Sequence, residues 1–372
     1  MPRRKGRFKT NTIGQFDRLD LLTLNSLCAE PLAPFQRLAE LSGISVKSLK
    51  RRLALLKDTS ILLRVVARIN LSTLGLQLTP VLASVPLNEI ASVEKACDLH
   101  PYTRYRVRCI GSTNGLFMIF GIPTGTEFQL IEFFNQLKRL SIVNEFRIPR
   151  MIAGPVYRNP DFSSYDPTSE NWKFKTSRWA RGLKTHTTEL QQLLPSNLNE
   201  IHHQDLVLLR LLTEDARRPQ KALAKELHVP EYQISRRFKF LSQRQIISDY
   251  DVFLGRKLFR HAPGALFEAV CSLDTTRAVA KGLETLPFQA SFLPVAEGFL
   301  LYAGLPSPLF TEIGASLLEP SKTVGMMWTD YDTSMRYYFD ESPFVEERGE
   351  WETNSRFVTD EPLSALRRKL GR

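Results

Sequence analysis

Residues 38–56 read LAELSGISVKSLKRRLALL, and residues 223–241 read LAKELHVPEYQISRRFKFL. The second stretch begins 185 positions after the first and has apolar residues, a turn and an Arg-Arg pair in the same register. A further pair matches at an offset of 183: GLFMIFGIP at 115–123 and GFLLYAGLP at 298–306. Two matches in the same order indicate an internal repeat, in which a helical first part precedes a strand-rich second part.

The first stretch has the pattern of a helix-turn-helix. Gly43 permits a sharp turn, and the hydroxyl of Ser45 can cap the helix that follows. That third helix places its apolar residues on one face and polar or cationic residues on the other, the latter being Lys47, Ser48, Lys50, Arg51 and Arg52. In the second stretch Pro230 replaces the serine cap, and the corresponding outer residues are Tyr232, Gln233, Ser235, Arg236, Arg237 and Lys239.

A β-branched strand follows each third helix, at 61–69 and 246–253, which is typical of a wing. Farther along each repeat, four apolar strands alternate with two helices in the order βαββαβ. The sequence therefore predicts an α+β fold with two repeats, each a winged helix-turn-helix followed by a ferredoxin-like domain. The expected boundaries are a basic N-terminal arm at 1–16, winged units at 17–72 and 201–258, ferredoxin-like domains at 77–154 and 262–338, a linker at 155–200 and a C-terminal extension at 339–372.

Composition and charge restrict the class of protein. The chain has 372 residues, 50 Lys+Arg against 39 Asp+Glu, and a net charge of +11, which favours an anionic partner. No apolar run reaches the eighteen or so residues of a membrane span, and the N-terminus lacks the apolar core of a secretory signal, so we expect a cytoplasmic protein without a membrane partner. The four cysteines are widely separated, which predicts buried free thiols and no metal site.

Two basic third helices predict binding to double-stranded DNA, because a helix fits the major groove and its long cationic side chains reach bases and phosphates. Gln233 and Arg236 are candidates for contacts with bases. We expect Arg236 and Arg237 to lie opposite the apolar face, so that replacing both would weaken DNA binding without disturbing the fold. An alternative is a sequence-indifferent architectural DNA-binding protein, for which the basic arm and the linker are suited.

The second repeat resembles the Lrp/AsnC family of transcription regulators, and the first resembles it more loosely. The resemblance is carried by Asp205-Leu206, Leu209, Leu212, Asp215-Ala216-Arg217, Leu223-Ala224, Val229, Ile234, Arg236-Arg237, Leu241 and Ile246-Ile247. It implies a transcription regulator, here in tandem form, whose ferredoxin-like (RAM) domains pair. The assembly would be a homo-oligomer or a pseudo-dimer within one chain.

The same resemblance implies a small-molecule effector such as an amino acid. The loop before the GLFMIFGIP stretch at 115–123 holds Gly111, Ser112 and Asn114. The family often binds its effector at this loop. The second repeat has no similar loop, and a plain hairpin turn is the alternative for the first. We expect no resident cofactor and no catalytic residues.

An enzyme is the alternative from another class, because siroheme decarboxylases resemble the same two-domain plan. That interpretation would use His100 as a proton donor and arginines as partners of propionates, with Tyr102, Arg104 and Arg106 close by. The linker carries Trp172, Phe174 and Trp179 among cations. These aromatic residues either anchor the linker to the domains or stack on nucleic acid, and we favour anchoring.

Overall fold

The computed structural model describes residues 17–166, 169, 171–255 and 264–371, so the basic arm at 1–16 lies outside the described residues.

The first helical unit ends in a single strand. Gly43 has φ 68° at the turn, and Ser45 Oγ accepts a hydrogen bond from Ser48 N at 3.2 Å, as the sequence predicted. The elements are α1 (Arg18–Ala29), α2 (Phe35–Ser42), α3 (Val46–Asp58) and β1 (Leu62–Ile69).

A ferredoxin-like unit follows and has the expected βαββαβ order. Its elements are β2 (Leu76–Ser84), α4 (Ile90–Leu99), β3 (Thr103–Gly111), β4 (Gly115–Pro123), α5 (Glu127–Arg139) and β5 (Glu145–Arg147). The connecting segment then contains short elements: β6 (Val156–Arg158), β7 (Tyr165–Asp166), β8 (Asn171–Trp172) and α6 (Thr176–Gly182).

The second helical unit has the same order as the first, with α7 (His203–Glu214), α8 (Gln220–Glu226), α9 (Glu231–Gln243) and β9 (Ile247–Leu254). His228, at the position of Gly43, has φ 54°, and Pro230 precedes α9 as its N-cap without a side-chain hydrogen bond. The second ferredoxin-like unit has β10 (Gly264–Val270), α10 (Leu273–Gly282), β11 (Ala290–Val295), β12 (Gly298–Gly304), α11 (Ser307–Leu318) and β13 (Thr323–Arg336). The chain ends in β14 (Phe344–Val345), β15 (Glu350–Trp351) and α12 (Glu361–Leu370).

The two ferredoxin-like units share one sheet. Among the described residues it has nine strands in the order β5-β2-β4-β3-β13-β10-β12-β11-β6, and the antiparallel pair β3–β13 joins the halves. Leu116, Met118 and Phe120 of β4 face a core formed with the helices of their own unit, whereas Phe117 and Ile119 alternate with them on the opposite face. That second face is shared by both halves.

The expected wings are not formed as separate hairpins. Instead β1 and β9 pair with each other antiparallel, from Leu62 opposite Leu254 to Ile69 opposite Ile247. Each helical unit contributes one strand, because an edge strand satisfies its backbone groups most simply against the corresponding strand of the other unit. The helical units are thereby tied into a pair within one chain.

The segment after each ferredoxin-like unit covers the other half. Trp179 of α6 is 4% exposed and its Nε1 donates to Gly282 O at 3.0 Å, while α12 packs against α4. Trp351 Nε1 likewise donates to Leu74 O at 2.6 Å. The prediction that the linker aromatic residues act as anchors is confirmed, since Trp172 and Phe174 both contact the ring of Phe288, with centroids 5.1 and 5.4 Å away.

The cysteines are free thiols; Cys28, Cys97 and Cys109 are buried and Cys271 is half-buried. Within the described ranges, His, Cys, Asp and Glu residues form no cluster of three or more that could hold a metal ion. No helix in those ranges is long and apolar enough to cross a membrane.

Candidate functional site

A cavity of about 1120 Å³ lies between the face of the sheet shared by both halves, the β1–β9 pair and the connecting segment. Its floor includes Phe117 and Ile119 from the first half and Leu266, Leu300 and Tyr302 from the second. Residues 191–194 of the connecting segment form part of its wall, held by the hydrogen bond from Gly154 N to Gln191 O at 2.7 Å. The volume exceeds the several hundred Å³ of a typical small-molecule site, so the cavity can hold a large ligand.

The cavity is rich in arginine. Its described lining residues include five arginines, Arg64, Arg68, Arg104, Arg150 and Arg336, and three acidic residues, Glu127, Asp249 and Asp251. Arginine binds carboxylates with two parallel hydrogen bonds, so an apolar cavity with this lining suits a large ligand that carries several carboxylates.

Among the described arginines at the cavity, Arg104 has the largest number of buried donor atoms without a hydrogen-bond partner. Its Nη1 donates to Tyr338 O at 3.1 Å, and the guanidinium lies 4.9 Å from the Phe339 ring centroid. Its Nε and Nη2 are buried and have no hydrogen-bond partner among the described residues. Burial also lowers the pKa of Arg104 to about 10, which still leaves it charged near neutral pH. Buried donors without partners are costly unless a ligand supplies acceptors.

A register shift in β3 between Thr103 and Tyr105 places Arg104 on the cavity face. There it lies over Gly121 of β4, which shares that face with Phe117 and Ile119. Arg106 and Arg108 instead point to α4, where both pair with Glu94 at 3.1 and 2.8 Å. One strand therefore directs one arginine into the cavity and two away from it.

The arginines on β1 are held by neighbouring side chains. Arg68 pairs with Asp249 at 3.0 Å and with Asp251, and its guanidinium lies 4.6 Å from the Tyr157 ring centroid. Arg64 donates to Tyr338 Oη, and it also lies over that ring. Neither residue was expected at a site, although cations at positions 64 and 68 of a strand with Val66 between them lie on one face.

Of the residues that an enzyme was expected to use, the structure places only Arg104 at the cavity. His100 is 3% exposed among Phe120 and Phe133, and its burial lowers its pKa to about 3. Tyr102 Oη donates to Glu352 O at 2.6 Å. His100 is therefore a neutral core residue and no proton donor for the cavity.

The third helices expose most, but not all, of the predicted cations. Lys47, Lys50, Arg51, Arg236 and Lys239 are exposed, as are Tyr232 and Ser235, while Ser48 and Gln233 are half-buried. Ser235 Oγ donates to Gln220 Oε1 at 2.6 Å.

The expected outward orientation is wrong for Arg52 and for Arg237. Arg52 is 9% exposed and pairs with Asp20 at 2.6 Å and Asp17 at 2.8 Å. Arg237 pairs with Asp205, whose side chain is 1% exposed. Both ion pairs join the third helix of a unit to its first helix, so these arginines are already used inside the protein.

The loop expected to bind an effector forms the seam between the halves. Ser112 N donates to Met326 O at 3.0 Å, and Gly111 N donates to Asn114 Oδ1 at 3.1 Å. A Cβ atom on Gly111 would stand 2.2 Å from Met326 O, because β13 crosses so closely. These three residues do not line the cavity.

Comparisons with known proteins define the fold over nearly the whole chain. No protein-family model matches the sequence, and a search among curated proteins finds no match. The crystal structure of siroheme decarboxylase NirDL matches with a TM-score of 0.54 and 13% identity, over 93% of this chain and 99% of that chain. The same protein in co-complex with an iron-uroporphyrin III analogue matches with a TM-score of 0.52, the same identity and the same coverage.

Lrp/AsnC regulators are also among the structural neighbours, over part of the chain. AsnC of E. coli matches at 14% identity over 38% of this chain and 96% of its own, with a TM-score of 0.32. The expectation that this chain is not an enzyme is contradicted, because the structures that match 93% of the chain are those of an enzyme.

Proposed function

We propose that this chain is an enzyme that binds a polycarboxylated tetrapyrrole in the arginine-lined cavity and decarboxylates it. The observation that carries the proposal is Arg104, a charged side chain with two buried unpartnered donors at a cavity of about 1120 Å³. The full-length likeness to a siroheme decarboxylase supports the same class of ligand. At 13% identity this likeness shows the fold alone. The class of ligand is therefore inferred mainly from the residues that line the cavity.

The lining suits such a ligand in two respects. Apolar residues on the floor, among them Phe117, Ile119 and Leu300, can contact the faces of a flat macrocycle, and the arginines can pair with carboxylates at its rim. The positive lining also favours the carboxylate form of the side chains, which is the form that loses CO₂.

Binding and turnover test the proposal separately. The purified chain is titrated with iron-uroporphyrin III by absorbance, then incubated with siroheme, and the products are separated by mass to detect loss of CO₂. We expect binding and decarboxylation by the unaltered chain. Arg104→Gln should weaken binding about ten- to hundredfold, the loss of roughly 1.5–3 kcal/mol expected for hydrogen bonds to a charged group.

Arg108→Gln is the matched control, since Arg108 lies on the same strand but pairs with Glu94 on α4. Its affinity for iron-uroporphyrin III should equal that of the unaltered chain. A chain that neither binds iron-uroporphyrin III nor changes siroheme contradicts the proposal.

A second candidate function is regulation of transcription through duplex DNA, as the sequence predicted. It is favoured by the exposed cations at equivalent positions of the third helices, Arg51 on α3 and Arg236 on α9. Removing both by Arg51→Ala with Arg236→Ala should lower the slope of log affinity against log salt by about two if each contacts a phosphate. The control is Lys138→Ala with Arg139→Ala on α5, and equal slopes for both double variants would contradict DNA binding by these helices.

A further inference from the structure

Two tyrosines from opposite halves of the chain meet on the floor of the cavity. Tyr105 of β3 donates a hydrogen bond to the hydroxyl oxygen of Tyr302 of β12, with 3.2 Å between the oxygens. Their ring centroids are 6.0 Å apart, and both side chains line the cavity. The pair exists because the sheet is continuous across the β3–β13 seam, which brings the two units onto one face.

The hydroxyl oxygen of Tyr302 accepts two hydrogen bonds. Besides the bond from Tyr105, its oxygen accepts one from Thr329 Oγ1 at 3.4 Å. The hydrogen of Tyr302 has no acceptor among the described residues, so it is free to point into the cavity. If that proton leaves, the resulting phenolate oxygen is already held by two donors, which stabilises the negative charge.

Several other acids at or near the cavity are less suited to give a proton. Asp251 is paired with Arg68, and Asp249 is paired with the same arginine. Tyr337 donates its proton to Asp98 Oδ1 at 2.6 Å, away from the cavity. Tyr338 accepts from Arg64 at the exposed edge of the site, and His100 is enclosed in the helical core.

Tyr105 supports Tyr302 by remaining protonated. Burial raises the pKa of Tyr105 well above its ordinary value, and the hydrogen bond to Tyr302 adds to the rise. Tyr105 therefore stays protonated near neutral pH, where it donates to Tyr302 and positions it without competing as a proton source.

We propose that Tyr302 is the general acid of the decarboxylation, held by Tyr105 and Thr329; this assignment rests on the proposed function. The bond from the carboxylate carbon to its neighbouring carbon breaks, CO₂ leaves, and the electron pair stays on that neighbour, where the conjugated ring stabilises it. The Tyr302 O–H then protonates this carbon, and solvent restores the proton to the phenolate. Each turnover consumes one carboxylate and one proton and releases one CO₂, with no oxidant or reductant.

The test separates binding from chemistry. Tyr302→Phe removes one oxygen and should lower kcat for siroheme about 10²- to 10⁴-fold, the usual contribution of a positioned acid. Its dissociation constant for iron-uroporphyrin III and its Tm should stay close to those of the unaltered chain. Thr329→Val should lower kcat by a smaller factor, because it removes one of the two donors to the phenolate.

Tyr165→Phe is the matched control, since Tyr165 packs against Trp172 in the connecting segment and lies outside the cavity. It should have the kcat of the unaltered chain. Unchanged kcat in Tyr302→Phe overturns the assignment, as does an equal loss of binding and kcat, which would make Tyr302 a binding residue. An unaltered chain that binds iron-uroporphyrin III but never decarboxylates siroheme also overturns it, whereas absence of binding refutes the proposed function itself.

Discussion

Arg104 lies so close over Gly121 that the two positions constrain each other. A Cβ atom on Gly121 would stand 3.0 Å from Arg104 Nε and 3.3 Å from its Cγ, and it would also meet Leu71. Gly304 lies 183 positions after Gly121 in the second half, and a Cβ atom there would meet no described atom within 4 Å. At equivalent positions of β4 and β12, the space for a Cβ atom is therefore occupied at Gly121 and free at Gly304.

Gly121→Ala should weaken binding of iron-uroporphyrin III about tenfold, because the added methyl group pushes the guanidinium of Arg104 from its place in the cavity. Absorbance titration measures the change. Gly304→Ala is the control and should leave affinity unaltered, since the space above it is open. Equal affinities of the two variants would show that the position of Arg104 is unimportant for binding.

The neighbouring arginines of α9 should differ sharply in their effect on stability. Arg237→Ala leaves the buried Asp205 carboxylate without its partner, and loss of one member of a buried pair costs about 3–5 kcal/mol. Arg236→Ala removes an exposed side chain and should change the free energy of unfolding by less than about 0.5 kcal/mol. Urea unfolding followed by circular dichroism compares them; similar stabilities would contradict a structural role for Arg237.

The ion pairs of Arg52 and Arg237 show what the spacing of apolar residues in the sequence cannot predict. Helical spacing correctly placed α3 and α9 and their apolar faces, and both ferredoxin-like units have the predicted βαββαβ order. The same pattern put Arg52 and Arg237 on the outer face, because it contains no information about Asp20 and Asp205, which lie 32 positions earlier in the chain. The orientation of a side chain at the margin of a helix face depends on such tertiary partners.

The cavity was beyond prediction for a similar reason. Its arginines come from β1, β3, the segment after β5 and the end of β13, and they meet only because β1 pairs with β9 and β3 with β13. Arg104 reaches it through an irregularity in the register of β3 that alternation of residues does not reveal. The enzyme hypothesis named Arg104 by resemblance, whereas its companions His100 and Tyr102 lie in the core.

Trp351 should be the residue of the C-terminal extension on which stability depends most. It is 3% exposed, packs against Phe339 and Phe344, and donates to Leu74 O. Trp351→Ala should cost about 3–5 kcal/mol, because it leaves a large cavity and an unpaired carbonyl. Thermal unfolding measures the loss; Glu350→Ala next to it is exposed and should keep the Tm of the unaltered chain.

The burial of His100 leads to a prediction of how the free energy of unfolding depends on pH. Its folded pKa is lowered to about 3 by burial, whereas an unfolded histidine titrates near 6.5. Between these values the unfolded state binds a proton that the native state does not, so acid favours unfolding. Stability from this residue is complete above about pH 6.5 and falls by up to about 1.4 kcal/mol per pH unit below it, or roughly 2 kcal/mol at pH 5.

His100→Phe removes the titrating group and places a third aromatic ring beside Phe120 and Phe133. The variant loses the acceptor of the hydrogen bond from Tyr102 N, a cost that does not vary with pH. Urea unfolding at pH 7 and pH 5 should therefore show a decrease about 2 kcal/mol larger for the unaltered chain than for His100→Phe, because other titrating groups contribute equally to both. His186→Gln, at an exposed site, should keep the full decrease, and the same decrease in His100→Phe would mean that His100 is protonated in the native protein.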